Sequence, residues 1–478
     1  MRVSHGHHHA FPTYFGRTAE GLALLSRRGM IKAGLAGVAG LTLPTLLRER
    51  AVARAVSPPK SLILLWMAGG PSQIDTWDPK PDRPVQNRGP FGTIETRQPG
   101  VRICDRLPMT AALLDRCTII RSVDAQLSNH EPNTVFQTGN RLAEPRTNPE
   151  ARSYPAIGSI VAKHLRSGPA TIPPYVAFMK SSSHLAFSGY LGRRYEPFIA
   201  NACARLPVLD LVGKETGQTT GADFFTLPKG LTTARLDDRE GLRAALDQAR
   251  RVLDGDPAVG SLDTFHQQAL DLVTGPTARR AFDLDDEPRA VRERYGDHLW
   301  CRQALLARRL VEAGAAFITL DLSYHTASGT WDNHGDNIPP YGGISKGLGP
   351  LLPLFDHLYS TLVRDLDERG LLDQTLVLAM GEFGRTPMMG TQGSTDGRDH
   401  WPRVMSMLVA GGGLRHGQVV GATEADGGSI KERPVTPADL AATIYRHFDV
   451  PLDTTYNDPT GRPRAAVEPG GAPIPELF

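Results

Sequence analysis

Carboxylates and imidazoles gather in a few short stretches of this 478-residue chain. Asp321-Leu-Ser-Tyr-His325 and Trp331-Asp332-Asn333-His334-Gly335-Asp336 place two Asp and two His within the fourteen residues from Asp321 to His334. A carboxylate beside an imidazole suits Zn²⁺, Mn²⁺ or Fe, whereas Ca²⁺ and Mg²⁺ prefer oxygen ligands alone. Asp332 and His334 are the pair best suited to ligate. The competing account is a polar loop whose Asp and Asn bond the local backbone. Further on, Gly397-Arg398-Asp399-His400-Trp401-Pro402 offers His400 to complete a shared site, although a lone histidine is more often structural.

Two more stretches set charge beside glycine. Gly69-Gly70-Pro71-Ser72 leads to Asp75 and Asp78, either of which can bind a cation where the glycines let a ligand come close. A tight turn with Asp capping a short helix explains the same residues. Gly381-Glu382-Phe383-Gly384-Arg385-Thr386-Pro387 brings a carboxylate and a guanidinium together. Arg385 or Arg398 can clamp an oxyanion, because a planar guanidinium meets phosphate or sulfate with two parallel bonds. An Arg–Glu surface pair is the plain alternative.

These residues need a frame, and the hydropathy pattern supplies one. Continuous apolar runs at 60–68, 117–121, 315–322, 375–380 and 404–410 read as strands buried on both faces. Longer stretches at 153–165, 239–252, 290–312, 348–369 and 437–448 predict helices, several with apolar residues spaced i, i+3, i+4. Their alternation predicts an α/β protein with a mostly parallel central sheet and helices on both faces. In such a sheet ligands bind beyond the carboxyl ends of the strands, and the charged stretches follow the runs at 60–68, 315–322 and 375–380. Residues 168–287, with many Thr, Gly, Pro and Asp, predict an irregular insertion or cap. Gly343-Ile344-Ser345-Lys346-Gly347 fits the nucleophile-elbow string but has no strand before it. No phosphate-loop or dinucleotide fingerprint occurs.

The chain holds 53 Lys and Arg against 51 Asp and Glu, with 40% hydrophobic and 22% charged residues, a globular rather than disordered composition. Without a basic surplus, nucleic acid is excluded as the main partner. Ser26-Arg27-Arg28-Gly29-Met30-Ile31-Lys32 is a twin-arginine pattern, and the apolar stretch 33–47 behind it is too short to span a bilayer. Residues 1–55 are therefore expected to be a twin-arginine signal and 56–478 a domain exported to the periplasm or beyond, without a stable membrane span. A retained anchor is the alternative. Cleavage after Ala55 removes His5, His7, His8 and His9 and leaves 45 Lys and Arg against 49 Asp and Glu. The twin-arginine machinery, an expected partner, carries passengers that fold first, which fits a metal site. Cys104, Cys117, Cys203 and Cys301 are too few for a disulfide framework, with a Cys104–Cys117 bridge left open.

Read in order behind that signal, Gly69-Gly70-Pro71-Ser72 through Asp75-Thr76-Trp77-Asp78-Pro79-Lys80, Trp331-Asp332-Asn333-His334, the Gly381 to Pro387 stretch and Gly397-Arg398-Asp399-His400-Trp401 carry a resemblance. The sequence resembles a secreted family of unknown function, the domain of unknown function numbered 1501. That family is in turn similar, more distantly, to the alkaline phosphatase and sulfatase superfamily, whose members hydrolyse phosphate or sulfate esters at one or two metals. The resemblance implies an alkaline phosphatase-like α/β fold. It also implies metal ligands at Asp75 (or Asp78), Asp332, His334, Glu382 and His400, with Phe383 where the superfamily has a histidine. Its nucleophile opens a helix ending in Thr-Gly. Counting back from Thr138-Gly139 reaches Asn129 or His130 in place of Ser, Thr or a modified Cys, and neither Cys104 nor Cys203 lies in a Cys-x-Pro-x-Arg context. Attack by a metal-activated water, direct use of His130, Ser128 or Thr134, or a fold without catalysis all stay open.

The expectation is an exported metal-dependent hydrolase of phosphate or sulfate esters, glycan esters among them. It would hold Zn, Mn or Fe rather than Ca or Mg, with catalytic roles for Arg385, Arg398 and His130. The alternative is a non-catalytic exported binding or assembly protein. An exported redox enzyme lacks the cysteine cluster or dinucleotide motif it would need.

Overall fold

In a computed structural model, which describes residues 59–130, 133–165, 172–221, 224–225, 275–326, 328–335, 342–391 and 393–478, the first apolar run becomes strand β1, Ser61–Trp66, with all six residues buried. The twin-arginine segment, the helix expected at 239–252 and Asp336 lie outside the described residues. Beside β1 the central sheet contains Cys117–Val123 (β2), Tyr175–Phe178 (β3), Phe198–Ile199 (β4), Phe317–Asp321 (β5), Thr375–Met380 (β6), Met405–Gly411 (β7) and Gln418–Val420 (β8). Their order across the sheet is β8-β2-β7-β6-β1-β5-β3-β4. β1 is parallel to both neighbours, Leu62 standing opposite Leu376 and Phe317.

A strand buried on both faces alternates its side chains between two cores, and β1 does so. Ile63 and Leu65 pack with Leu305, Leu306, Leu358 and Leu362, while Leu62, Leu64 and Trp66 pack with Ile157, Ile160, Ala441 and Ile444 on the other side. The covering helices are Ile157–His164 (α1), Leu299–Glu312 (α2), Gly349–Glu368 (α3) and Pro437–His447 (α4). α4 starts where Thr436 and Asp439 form a reciprocal capping box with Pro437 in the first turn. The single helix expected over 290–312 is two, Arg289–Tyr295 and α2. Gly296 ends the first with φ 88°, and the His298 side chain caps the second.

The sheet is mostly parallel as expected, with one consequential exception. β7 runs antiparallel to both β6 and β2, so β7 enters the sheet at the edge where β1, β2, β5 and β6 leave it. The loop leading into β7 thus meets the loops that follow the other four. A second difference concerns 168–287. Its residues Tyr175–Phe178 and Phe198–Ile199 are central-sheet strands, β3 pairing with β5; at four and two residues they are too short to stand out as apolar runs. The four cysteines are buried and unpaired, so the Cys104–Cys117 bridge is not formed, and burial pushes each thiol up to about 12. No helix among the described residues is long and apolar enough to cross a membrane.

Candidate metal centre

Each loop at the convergent sheet edge is anchored by a buried group. After β5 the chain returns over β1. Trp331 donates its backbone N–H to Ala68 O at 3.0 Å and its Nε1–H to Leu322 O at 2.9 Å, and its ring stacks on Trp300. That anchor delivers Asp332 and His334. Gly69 permits the crossing, because a Cβ there would lie 2.2 Å from Asp332 N at φ +114°. Gly397 is equally tight, a Cβ falling 1.5 Å from His334 O, and Arg398 N–H donates to Asn333 O at 3.0 Å. His400 and Trp401 then pair with Gly384 and Arg385 as a two-residue ladder, Arg385 opposite His400. From β2, a turn closed by Ser128 N–H to Ala125 O at 3.0 Å brings in His130, whose backbone N–H bonds Asn129 Oδ1 at 2.9 Å.

The outcome is a group of four: His130, Asp332, His334 and His400, with one potential ligand atom of each within 4.8 Å of the others. His400 Nε2 lies 2.6 Å from His130 Nε2, 2.7 Å from His334 Nε2 and 3.3 Å from Asp332 Oδ1. Asp332 Oδ1 is also 3.0 Å from His334 Nε2. An imidazole nitrogen carries one proton or one in-plane lone pair, so hydrogen bonding cannot satisfy three partners at His400 Nε2. A single cation at the meeting point would accept lone pairs from all four groups. Three imidazoles and a carboxylate are an accepted donor set for Zn²⁺ and for other first-row divalent metals.

The surroundings shift the members of the group in different directions. Burial works against protonating His130, yet its bonds to Asp332 and Glu382 outweigh this and raise its pKa above the usual histidine value. Burial lowers His400 to about 4, with Asp332 opposing. Burial would raise Asp332, but the Arg385 guanidinium and the three imidazoles hold it well below the carboxylate range. Asp332 is thus an anion and His400 a neutral imidazole near pH 7, the forms that ligate.

The other sequence-predicted residues fall around this group. Glu382 is not among the four; its Oε1 accepts from His130 Nδ1 at 2.5 Å and from Gly69 N–H at 2.8 Å, while its buried Oε2 has no hydrogen-bond partner. Such a carboxylate behind a histidine fixes the tautomer that turns Nε2 to a metal. Phe383 lies against both His130 and His400, ring centroids 4.6 and 5.0 Å away, and so packs two of the imidazoles instead of ligating. Arg385 is fully buried. It bonds Asp332 Oδ1 at 2.6 Å, Gly70 O at 2.9 Å, Arg398 O at 3.3 Å and Gly69 O. Arg398, equally buried, spends Nε and both terminal nitrogens on Asp75, Thr386 O, Pro387 O and Asn87 O. A guanidinium has five N–H donors, and acceptors of the chain take all five of Arg398 and four of the five of Arg385, so both brace the loops and leave little for the expected oxyanion clamp. Asp75 is brought to Arg398 at 2.6 Å and to Ser72, away from the four. Asp78 is tied to Lys80 and Arg121.

Asp321 and His325 also stand apart. Asp321 Oδ2 bonds His184 Nδ1 at 2.9 Å and Lys180 N–H at 2.8 Å, and burial, aided by His184, lowers His325 to about 4. Among the nucleophile candidates, Thr134 gives its hydroxyl to Ala143 O at 2.5 Å, and Ser128 Oγ is buried without a partner. His400, with a 36% exposed side chain, lines an open cleft together with Leu127, Trp401, Arg403, Ile430 and Lys431. That cleft joins the group to solvent.

Fold and site define a class: an α/β protein whose sheet edge gathers three histidines and an aspartate able to hold a divalent metal. This chain belongs to the DUF1501 family, described as a protein of unknown function, whose model matches residues 59–478. No curated protein sequence matches it. Among solved structures it is similar to the PsFucS1 sulfatase from Pseudoalteromonas sp., with 13% identity, a TM-score of 0.38 and coverage of 89% of this chain and 72% of that one. It is also similar to the phosphonate monoester hydrolase SpPMH from Silicibacter pomeroyi (12% identity, TM-score 0.35, 88% and 76% covered). A third is the C-terminal periplasmic domain of EcEptC from Escherichia coli in complex with Zn (11% identity, TM-score 0.33, 87% and 88% covered).

Proposed function

We propose that this chain is an exported, metal-dependent hydrolase of phosphate or sulfate esters, with an alkaline phosphatase-like fold. The observation that carries this reading is the convergence of His130, His334 and His400 Nε2 on the Asp332 carboxylate beside an open cleft. A divalent metal held by those four supplies Lewis acidity toward an ester oxygen and lowers the pKa of water. Glu382 keeps the proton of His130 on Nδ1, and Arg385 keeps Asp332 ionised and oriented. Water is the nucleophile we assign, since Thr134 is turned to a carbonyl, His130 is committed to Glu382 and the Ser128 hydroxyl is buried outside the group of four. Hydrolysis then adds water across the ester bond to give an alcohol and free phosphate or sulfate. The twin-arginine pattern of residues 26–32 supports export by that route.

The test is metal analysis by mass spectrometry on protein exported in its native way, beside a His334→Ala/His400→Ala variant, followed by a panel of phosphate and sulfate esters. Stoichiometric Zn, Mn or Fe that disappears in the variant, with turnover that disappears alongside it, is the expected result. Metal-free wild-type protein overturns the reading. One observation favours a second reading, a binding protein that keeps the fold without catalysis: the cations expected at a reacting oxyanion, Arg385 and Arg398, are bound to acceptors of the chain itself. Metal without turnover of any ester would decide for it.

A further inference from the structure

Three residues beyond His400, Arg403 lines the same cleft. Its guanidinium lies over the Trp401 ring, 5.0 Å from the centroid, and Trp401 is itself fixed by its Nε1–H bond to Gly428 O at 2.6 Å. Across the cleft Lys431 is exposed on a short strand, Ile430–Glu432. Among the described residues neither cation has a carboxylate partner. This sets them apart from Arg385 and Arg398, which are buried and engaged. A guanidinium held in place by an aromatic face and left without an anion is prepared to receive one.

Leu127 on the same cleft is the second observation. It is the third residue of the turn Ala125–Ser128, with φ 66° and 51% exposure. Glycine or asparagine normally fills that position of a turn, because other side chains are strained there. A strained leucine that packs little against its own chain, three residues before His130, has its apolar surface left for a ligand. Gln126 and Ser429 add hydrogen-bonding groups to the lining, and of its two carboxylates Asp124 is engaged by Arg141 at 2.7 Å while Glu432 follows Lys431 on the exposed strand, so the cleft offers an apolar face, polar edges and two cations that no carboxylate bonds. A sugar ring bearing an anionic substituent has the matching chemistry: an apolar C–H face, hydroxyl edges and charge.

We propose that Arg403 and Lys431 recognise a second anionic group on the substrate, with Leu127 supporting the sugar ring that carries it. The substrate class is then an acidic saccharide that holds a carboxylate, sulfate or phosphate besides the ester that is cut. This rests on the hydrolase reading only for the ester itself; recognition of the saccharide is measured separately.

Isothermal titration of the metal-loaded chain with a heparin-derived sulfated tetrasaccharide, and with neutral maltotetraose, tests it. The sulfated probe should bind wild type, with affinity falling steeply as salt rises. Arg403→Ala and Lys431→Ala should each weaken it roughly tenfold without changing metal content, Arg403→Lys should recover part of the loss, and maltotetraose should not bind. Failure of the sulfated probe to bind wild type, equal binding to Arg403→Ala, or equal binding of maltotetraose overturns the proposal. The two readings fail separately. Arg403-dependent binding by a protein without metal or turnover leaves this site standing and removes the hydrolase. Turnover of simple 4-nitrophenyl esters, with tetrasaccharide binding indifferent to Arg403 and Lys431, does the reverse.

Discussion

His130 Nδ1 sits 2.5 Å from Glu382 Oε1, and this contact decides which nitrogen of His130 faces Asp332, His334 and His400. An imidazole whose Nδ1–H is held by a carboxylate presents a lone pair at Nε2 and is more basic for it. Glu382→Gln keeps the shape but takes the charge away, and the amide can present its NH₂ to Nδ1. Metal affinity should fall by about 10–100-fold. Competition with a chromophoric chelator measures this; unchanged affinity in the variant would remove Glu382 from the site.

Chelation should also lower thermal stability, because a ligand bound only by the folded chain stabilises it by mass action, about 2.7 kcal/mol at a hundredfold excess over Kd. Thermal unfolding in EDTA and in Zn²⁺ should therefore differ by a few degrees for wild type. In His334→Ala and His400→Ala the two curves should coincide, since each removes one of the four proposed ligands. A Zn²⁺-dependent shift that survives in both variants places the stabilising metal elsewhere.

Gly69 tests whether the loops must cross as closely as they do. A methyl group there meets Asp332 N at 2.2 Å and faces φ +114°, whereas one at Gly100, φ +76°, meets nothing within 4 Å. Gly69→Ala should destabilise by more than about 2 kcal/mol and reduce metal content, by pushing the Trp331–Asp332 backbone away. Gly100→Ala should cost roughly 1 kcal/mol, through backbone conformation alone, and keep its metal. Urea unfolding together with metal analysis separates the two. Similar costs at both positions would mean that the crossing yields.

The unequal legibility of the site has physical causes. Strand β6 coincides with the apolar run 375–380, and β1, β5 and β7 lie within two residues of theirs, because a strand buried on both faces must be apolar throughout. Asp332, His334 and His400 stand out by residue type and by their place beside strand ends. His130 as a ligand does not: it is one histidine in an irregular segment, joined to the others only through the order of β2, β7 and β6 in the sheet. Sequence holds no local sign that β7 runs antiparallel, yet that direction is what carries His400 to the edge where β1, β2, β5 and β6 end. The partners of Arg385 and Arg398 are mostly backbone carbonyls, which every residue has, so spacing could not distinguish a guanidinium that braces loops from one that meets a substrate.

Away from the site, Arg308 sets the acid stability of the helical layer. It is wholly buried and reaches Asp365 Oδ2 at 2.9 Å, Glu287 Oε1 at 2.9 Å and Glu312 Oε2 at 2.7 Å. Burial raises the Glu287 pKa, but the Arg308 and Arg309 guanidiniums outweigh it and bring the carboxyl from 4.5 down to about 2. A folded-state pKa below the unfolded one gives stability that is complete above about pH 4.5 and drains away as pH falls toward 2. Glu287→Gln should therefore be less stable than wild type at pH 7, with the gap closing between pH 4.5 and 2. Arg308→Ala should be worse at neutral pH, because it removes the one buried guanidinium that bonds both Glu287 and Asp365 and leaves those carboxylates to the half-buried Arg309, Arg294 and Arg369 at their edge. Urea unfolding of the three proteins at pH 7, 4 and 3 makes the comparison. A gap between wild type and Glu287→Gln that stays constant with pH would show that the Glu287 carboxylate gains nothing from its guanidiniums.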